Sequence, residues 1–244
     1  MIRYPDVSVL PILEVRDDGT PVAFLGTGFV VAPRGVFVTT RHNLAKHPVD
    51  SKNRVVVAIE AYDDVYREFR QIDNIRLCPT ADVAVAELSV EGLWMLSLNR
   101  GEAPTNVDVL MVDHSSTQVT IDEQGKRAVR FSPGTLRGNI VRHYVSDVEA
   151  TRGMRCFDTS FPALSGASGA PVLVPPRYTV AGMLVANVQR HLLPAHILRV
   201  HDECGSIIEE ERYYLPFGQA LEADEVITAL QVLGVPFDDP GPAV

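Results

Sequence analysis

The segment Leu164-Ser165-Gly166-Ala167-Ser168-Gly169-Ala170-Pro171-Val172 carries the pattern Gly-x-Ser-Gly-x-Pro among small residues. A serine flanked by glycines can sit on a tight turn with its hydroxyl exposed, because glycine enters backbone conformations that strain other residues. The N–H groups of such a turn can point at a developing oxyanion. Serine is a weak nucleophile at neutral pH. It needs a base within hydrogen-bond reach, and that base needs a partner to orient it.

Working outward from Ser168, the chain offers both. His42 follows the apolar run 36–40, in Thr39-Thr40-Arg41-His42, and is preceded by the glycine-pinched segment Gly26-Thr27-Gly28-Phe29. The end of a strand can hold a side chain rigidly at a cleft edge. Asp82 stands at the mouth of a second apolar run, Asp82-Val83-Ala84-Val85-Ala86. A carboxylate there is costly unless hydrogen-bonded, and an imidazole N–H is a suitable donor. Each residue has a plainer reading when taken alone: a turn serine, a loop histidine, a strand-start aspartate. His47 is a rival base placed beyond the strand end, and His114 follows a later strand. His191, His196 and His201 match no tight zinc spacing, so no metal and no cofactor are expected. Cys156 reads as a core residue rather than a nucleophile.

The surrounding pattern is β-rich. Runs at 7–15, 21–32, 36–40, 54–60, 69–77 and 83–88 read as strands, and 33–35 supplies a Pro-Arg-Gly hairpin turn. A polar connector spans 99–106. Strands resume at 107–112, 171–174, 179–188 and 213–221. Two more, 128–131 and 138–144, are expected to join across Ser132-Pro133-Gly134. The stretch 189–212 has no clear β period and reads as a long loop. At the end, Val226, Ile227, Leu230 and Leu233 recur at helical spacing behind acidic residues, closed by Gly234. This predicts a helix over 222–234.

With 244 residues, 46% hydrophobic and 22% charged, the chain is long enough for one large domain or two small ones. A net charge of −9 argues against a phosphate-binding surface built on clustered Lys and Arg, so no nucleic-acid partner is expected. No apolar run approaches a membrane span, and the N-terminus lacks the features of a signal peptide. Three cysteines without a CxxC pattern fit free thiols and a cytoplasmic location.

The order His42, Asp82, Ser168 and the three local patterns resemble the trypsin-like serine protease superfamily, especially its bacterial, disulfide-free, HtrA-like branch. The matching stretches are Gly26 to Phe29 with Thr39 to His42, Asp82 to Val85, and Gly166 to Pro171. The final Pro216 to Leu221 and the helix also resemble the end of that fold. The resemblance implies an all-β chymotrypsin fold of two six-stranded antiparallel β-barrels packed with the active site between them, plus a C-terminal α-helix. It assigns 1–100 to an N-terminal barrel carrying His42 and Asp82, and 101–244 to a C-terminal barrel carrying Ser168. Together they form one protease domain. No PDZ-like domain is expected in the 235–244 that follow the helix.

Carried over, the family makes Ser168 the nucleophile, His42 the base and then acid, and Asp82 the group that fixes the His42 tautomer. The backbone N–H groups of Gly166 and Ser168 form the oxyanion hole, each donor worth about 3–4 kcal/mol in comparable sites. The implied primary pocket involves Pro162, Ala163, Leu164, Val185, Ala186, Asn187, Gly218 and Ala220. These stretches contain no acid, so cleavage is expected after a small or medium apolar residue rather than after Arg or Lys. There are departures. Arg41 stands directly before the histidine, where the family often has Ala or Gly. Ala170 stands where Gly is common. Ala167 stands where trypsins carry the Asp that pairs with a newly cut N-terminus, so that switch is not available. The expected activity is that of a serine endopeptidase acting on proteins or peptides through an acyl-enzyme, with a regulatory domain or partner protein as a further expectation. The alternative is a catalytically silent module of the same fold that binds peptides or partner proteins.

Overall fold

The fold is taken from a computed structural model, which describes residues 8–45, 53–60, 67–191, 198–201, 204, 207–211 and 214–236. The N-terminal half comprises β1 (Val9–Arg16), β2 (Pro21–Ala32), β3 (Val36–Thr39), the single-turn helix α1 (Arg41–Leu44), β4 (Asn53–Glu60), β5 (Arg67–Gln71), β6 (Asp73–Leu77) and β7 (Ala84–Glu87). The C-terminal half begins with β8 (Asp108–Asp113), β9 (Gln118–Ile121), β10 (Arg127–Arg130), β11 (Gly134–Val145) and β12 (Arg155–Thr159). It continues with β13 (Pro171–Val174), β14 (Thr179–His191), β15 (Leu198–His201), β16 (Ile207–Glu211), β17 (Tyr214–Glu222) and α2 (Ala223–Val232).

The first half is a seven-stranded antiparallel sheet in the order β5-β4-β1-β2-β3-β7-β6. Its two edges, β5 and β6, are neighbours in the chain, separated only by Ile72. Ile72 is buried, and its N–H donates to the Val55 carbonyl at 3.3 Å. One bent stretch therefore serves both edges. Counted as a single strand it makes six, but the ladder is interrupted at Ile72, so the first half is a half-barrel rather than the closed barrel expected. The second half is a closed barrel in the order β11-β12-β17-β14-β13-β8. Together they make the chymotrypsin-like two-barrel fold, with α2 at the end.

Period-two alternation explains why the strands flanking the cleft are apolar on both faces. In β2 and β3, Val30 and Phe37 point into the first barrel beside Leu10, Ile12, Val57 and Ile72. Their neighbours Phe29, Val31, Val36 and Val38 point the other way, against Leu110, Val112, Leu173, Met183 and Leu221 of the second half and Val226 and Leu230 of α2. The second barrel repeats the pattern: Val109, Met111, Val172, Leu184 and Ala220 fill its interior with Ile140 and Phe157. Phe29, Phe37 and Phe157 are almost wholly buried, each worth roughly 1.5–3 kcal/mol in burial. The shared cluster makes the interface between the halves as deeply buried as either core.

Two expectations about local structure are corrected, and a third point is a strand that the sequence pattern does not announce. First, 128–131 does not pair with 138–144. β10 pairs with β9 across a turn in which Asp122 Oδ1 accepts the N–H groups of Gln124 and Lys126 at 3.0 and 2.8 Å. That hairpin lays Val129 and Phe131 over Leu13, Val15, Val56, Ala58 and Phe24. Second, 189–212 is not one loop: β14 runs to His191, and β15 and β16 form a two-stranded sheet. Third, β12 carries no clean alternation in sequence, yet it is central. Its Asp158 is buried because Arg142 Nε and the Tyr144 hydroxyl both donate to its carboxylate, at 2.8 and 2.7 Å.

Candidate active site

His42 sits on α1, directly after β3. The chain is still extended at Thr40 (φ −73°, ψ 145°) and turns into the helix at Arg41, which swings the imidazole out at the cleft edge. Asp82 stands two residues before β7 of the same sheet and is 7% exposed. Its carboxylate grips the histidine twice: Oδ2 lies 2.7 Å from Nδ1, and Oδ1 accepts the His42 backbone N–H at 3.0 Å. Two acceptor contacts account for a carboxylate surviving that burial. An Nδ1–H donating to Asp82 leaves the Nε2 lone pair as the acceptor. Nε2 lies 3.4 Å from Thr40 Oγ1. The Arg41 guanidinium turns away and donates to the Cys78 carbonyl at 3.2 Å.

The Ser168 segment is two tandem turns. The Ala167 N–H donates to the Leu164 carbonyl, and the Ala170 N–H to the Ala167 carbonyl, both at 2.9 Å. Gly166 and Gly169 occupy the third position of each turn, with φ of 88° and 89°. A hydrogen-bonded turn with positive φ only at its third residue is type II, which requires glycine there. The two Ser-Gly-Ala triplets of the sequence are thus one turn repeated, with Ser168 second in the second turn. Among the described residues, the N–H groups of Gly166 and Ser168 donate to no protein acceptor. Ala167 is fully buried in the second barrel's apolar core, where a carboxylate would have to be desolvated without a partner.

The turn is held from the opposite half. The Thr27 N–H donates to the Ser168 carbonyl at 3.0 Å, and Thr27 Oγ1 donates to the Gly166 carbonyl at 2.9 Å. The Asn43 Nδ2 donates to the same Ser168 carbonyl at 2.9 Å and to Thr39 Oγ1 at 3.0 Å. Sequence reasoning did not single out Thr27 or Asn43 as site residues. The available signals were Thr27's place between two glycines and Asn43's place directly after His42. A Cβ at Gly26 would fall 2.2 Å from Asn43 Nδ2, so this glycine makes room for the strap. Ser168 Oγ donates to the Val185 carbonyl at 3.4 Å rather than to His42.

The expected pocket residues come together beside this turn. Asn187 pairs with Gly218 and Leu184 with Ala220 across β14 and β17. The Gly218 N–H donates to the Phe161 carbonyl at 2.7 Å. Asn187 Oδ1 accepts the Ala163 N–H at 2.6 Å, and its Nδ2 donates to the Ala163 carbonyl. Ala163, Val185 and Ala220 are buried, Pro162 and Ala186 half-buried, and Leu164 is 45% exposed. Of the rival groups, His47 and His196 lie outside the described residues. His191 and His201 end β14 and β15. His114 is buried, with Nε2 3.2 Å from the Val9 carbonyl. Cys156 is buried in the core, and burial pushes its thiol up to about 12. No helix among the described residues is long and apolar enough to cross a membrane.

Comparison with solved structures gives the same architecture. The Rv3671c protease from M. tuberculosis, in its active form, matches with a TM-score of 0.58 at 18% identity, over 98% of this chain and 84% of that one. Deg5 matches with a TM-score of 0.60 at 18% identity, over 95% and 92%. The MamO protease domain from Magnetospirillum magneticum matches with a TM-score of 0.57 at 15% identity, over 95% and 100%. At these identities the likeness is one of fold. No curated protein sequence matches the chain. The sequence profile of the trypsin-like peptidase domain matches residues 26–183, a span that holds His42, Asp82 and Ser168. The chain therefore belongs to the trypsin-like peptidase domain family.

Proposed function

We propose that this peptidase is a serine endopeptidase working through an acyl-enzyme. Ser168 Oγ leaves the Val185 carbonyl, passes its proton to His42 Nε2 and attacks the scissile carbonyl. His42 then delivers that proton to the departing amine. Water, deprotonated by the same Nε2, hydrolyses the ester and regenerates Ser168. Asp82 keeps Nδ1 as the donor and stabilises the imidazolium. The free N–H groups of Gly166 and Ser168 receive the negative charge of both tetrahedral intermediates. The observation that carries this reading is the double grip of Asp82 on His42, at 2.7 Å on the ring and 3.0 Å on the backbone. A carboxylate serving only the fold has no need to select a ring tautomer.

Specificity for a small or medium apolar residue before the cut is supported by the Asn187 amide, which spans to both backbone groups of Ala163. It is supported also by the lack of any carboxylate among residues 162–164, 185–187, 218 and 220. A buried Arg or Lys side chain would find no charged partner there. A peptide library should show apolar preference, and strict cleavage after Arg or Lys would overturn it.

The Val185 contact of Ser168 Oγ favours one rival, a silent peptide-binding module. A fluorophosphonate probe separates the two. It should label the native protein and leave Ser168→Ala unlabelled. A native protein that stays unlabelled while still binding peptides would establish the module instead.

A further inference from the structure

Away from the cleft, three side chains from distant parts of the chain converge. Glu102 lies on the connector between the two halves, His143 on β11, and Glu222 at the junction of β17 and α2. One donor atom from each lies within 4.8 Å of the others. His143 Nδ1 is 2.9 Å from Glu222 Oε1, and His143 Nε2 is 3.9 Å from Glu102 Oε1. The His143 side chain is 11% exposed and that of Glu222 5%, whereas Glu102 is 56% exposed. The His143 ring also leans against Phe157, with centroids 5.7 Å apart.

Two atoms in this cluster are buried without a hydrogen-bond partner: His143 Nε2 and Glu222 Oε2. Buried polar atoms are almost always satisfied, so the orphaned His143 Nε2 indicates a missing ligand, while Glu222 Oε2 faces the Arg155 guanidinium at 3.7 Å. The charge balance gives its sign. Among the described residues, the Arg or Lys paired with Glu222 is Arg155, at 3.7 Å, and Arg155 is shared with Asp224 and Glu225, each at 3.3 Å. With Nδ1–H donating to Glu222, the Nε2 lone pair faces the Glu102 carboxylate. A buried imidazole lone pair facing a carboxylate 3.9 Å away calls for a cation between them.

We propose that Glu102, His143 and Glu222 form a zinc site. His143 Nε2 and a Glu102 carboxylate oxygen are the protein ligands, and water completes the tetrahedron. Glu222 orients the ring through Nδ1, the usual arrangement in which a carboxylate fixes the tautomer of a metal-binding histidine. Ligands about 2.0–2.1 Å from a tetrahedral zinc stand roughly 3.4 Å apart. The observed 3.9 Å needs only a small movement of the exposed Glu102 side chain. An imidazole with carboxylate oxygen suits zinc, while magnesium and calcium take oxygen alone. The bound ion ties the connector between the halves to the second barrel. The distance between these ligands along the chain explains why no metal spacing was visible in sequence.

Calorimetric titration of the intact protein with Zn²⁺ tests this, with Co²⁺ absorption as a second probe of coordination. One saturable site is expected. Affinity should fall at least tenfold in Glu102→Gln, whose exposed position leaves the fold intact, and also in His143→Gln. Glu222→Gln should weaken binding roughly tenfold through the ring's orientation. Zinc at about 100 times its Kd should raise the native Tm by roughly 5 °C or more, and should do so far less in Glu102→Gln. No saturable uptake up to about 1 mM, or native affinity in either Glu102→Gln or His143→Gln, would overturn the site.

Discussion

The two sides of the cleft are held by different kinds of contact. On the His42 side, everything is local to one sheet: Asp82 and His42 approach from neighbouring strand ends and meet twice. On the Ser168 side, the turn belongs to the second half, but its two carbonyls are gripped by Thr27 and Asn43 of the first. Thus His42 is fixed by its own half and Ser168 by its neighbour. The relative position of His42 and Ser168 is therefore set by three hydroxyl, amide and backbone contacts rather than by the apolar interface alone. Hydrophobic burial brings the halves together without direction; the hydrogen bonds choose the register.

Breaking the local side should have the largest effect. Asp82→Asn keeps the size of the side chain but cannot hold the same tautomer, so kcat is expected to fall by about 10⁴ while near-UV circular dichroism stays native. Next comes the turn itself. Gly166→Ala demands a Cβ at positive φ and 2.3 Å from Phe24 Cε1. The turn must distort, and kcat should drop by about 10²–10³, as when one oxyanion donor is lost. Adding Phe24→Ala removes the clash but not the backbone strain, so recovery is expected to be partial. Full recovery would show that the ring alone, and not the type II geometry, constrains the hole.

The cross-half strap gives a smaller and more selective effect. Thr27→Val retains shape but loses the hydroxyl that donates to Gly166 and accepts the His114 N–H at 3.3 Å. A net loss of about 1–2 kcal/mol in positioning corresponds to a roughly tenfold fall in kcat, with KM nearly unchanged. Thr27→Ser should restore it; equal damage from both variants would mean that the methyl group, not the hydroxyl, matters. The smallest expected effect on catalysis concerns Cys156, which lies in the core shared by both halves. Burial raises its thiol from 9.0 to about 12. The folded protein keeps it protonated, so its contribution to stability is complete below pH 9 and is lost as pH climbs toward 12. Iodoacetamide should modify Cys156 at pH 8 only after unfolding.

The parts legible in sequence were those governed by short-range rules. The double-sided apolar runs of β2, β3 and β7, the Pro-Arg-Gly hairpin turn and the α2 pattern each announce themselves within a few residues. The same holds for the three motifs, because each carries its glycines, histidine or serine in a fixed local frame. What was not legible depends on partners far along the chain. β12 is buried through an Arg142–Asp158 pair and a Tyr144 hydroxyl, so its polar residues hid a central strand. The β9–β10 pairing was obscured because the Ser132-Pro133-Gly134 signal marks the start of β11, not a hairpin. Thr27 and Asn43 act on a turn more than a hundred residues away. Neither propensity nor periodicity encodes such a contact.

The tandem turns at 164–170 carry one more consequence, about insertion and deletion. Each turn advances three residues and demands glycine at the same place, so the segment behaves as a ruler with marks at Gly166 and Gly169. Removing or adding one residue between the marks would place a side-chain-bearing residue at a positive-φ position and rotate Ser168 away from the second place of its turn. Such a segment can drift in composition at the exposed Ser165 while its length stays frozen.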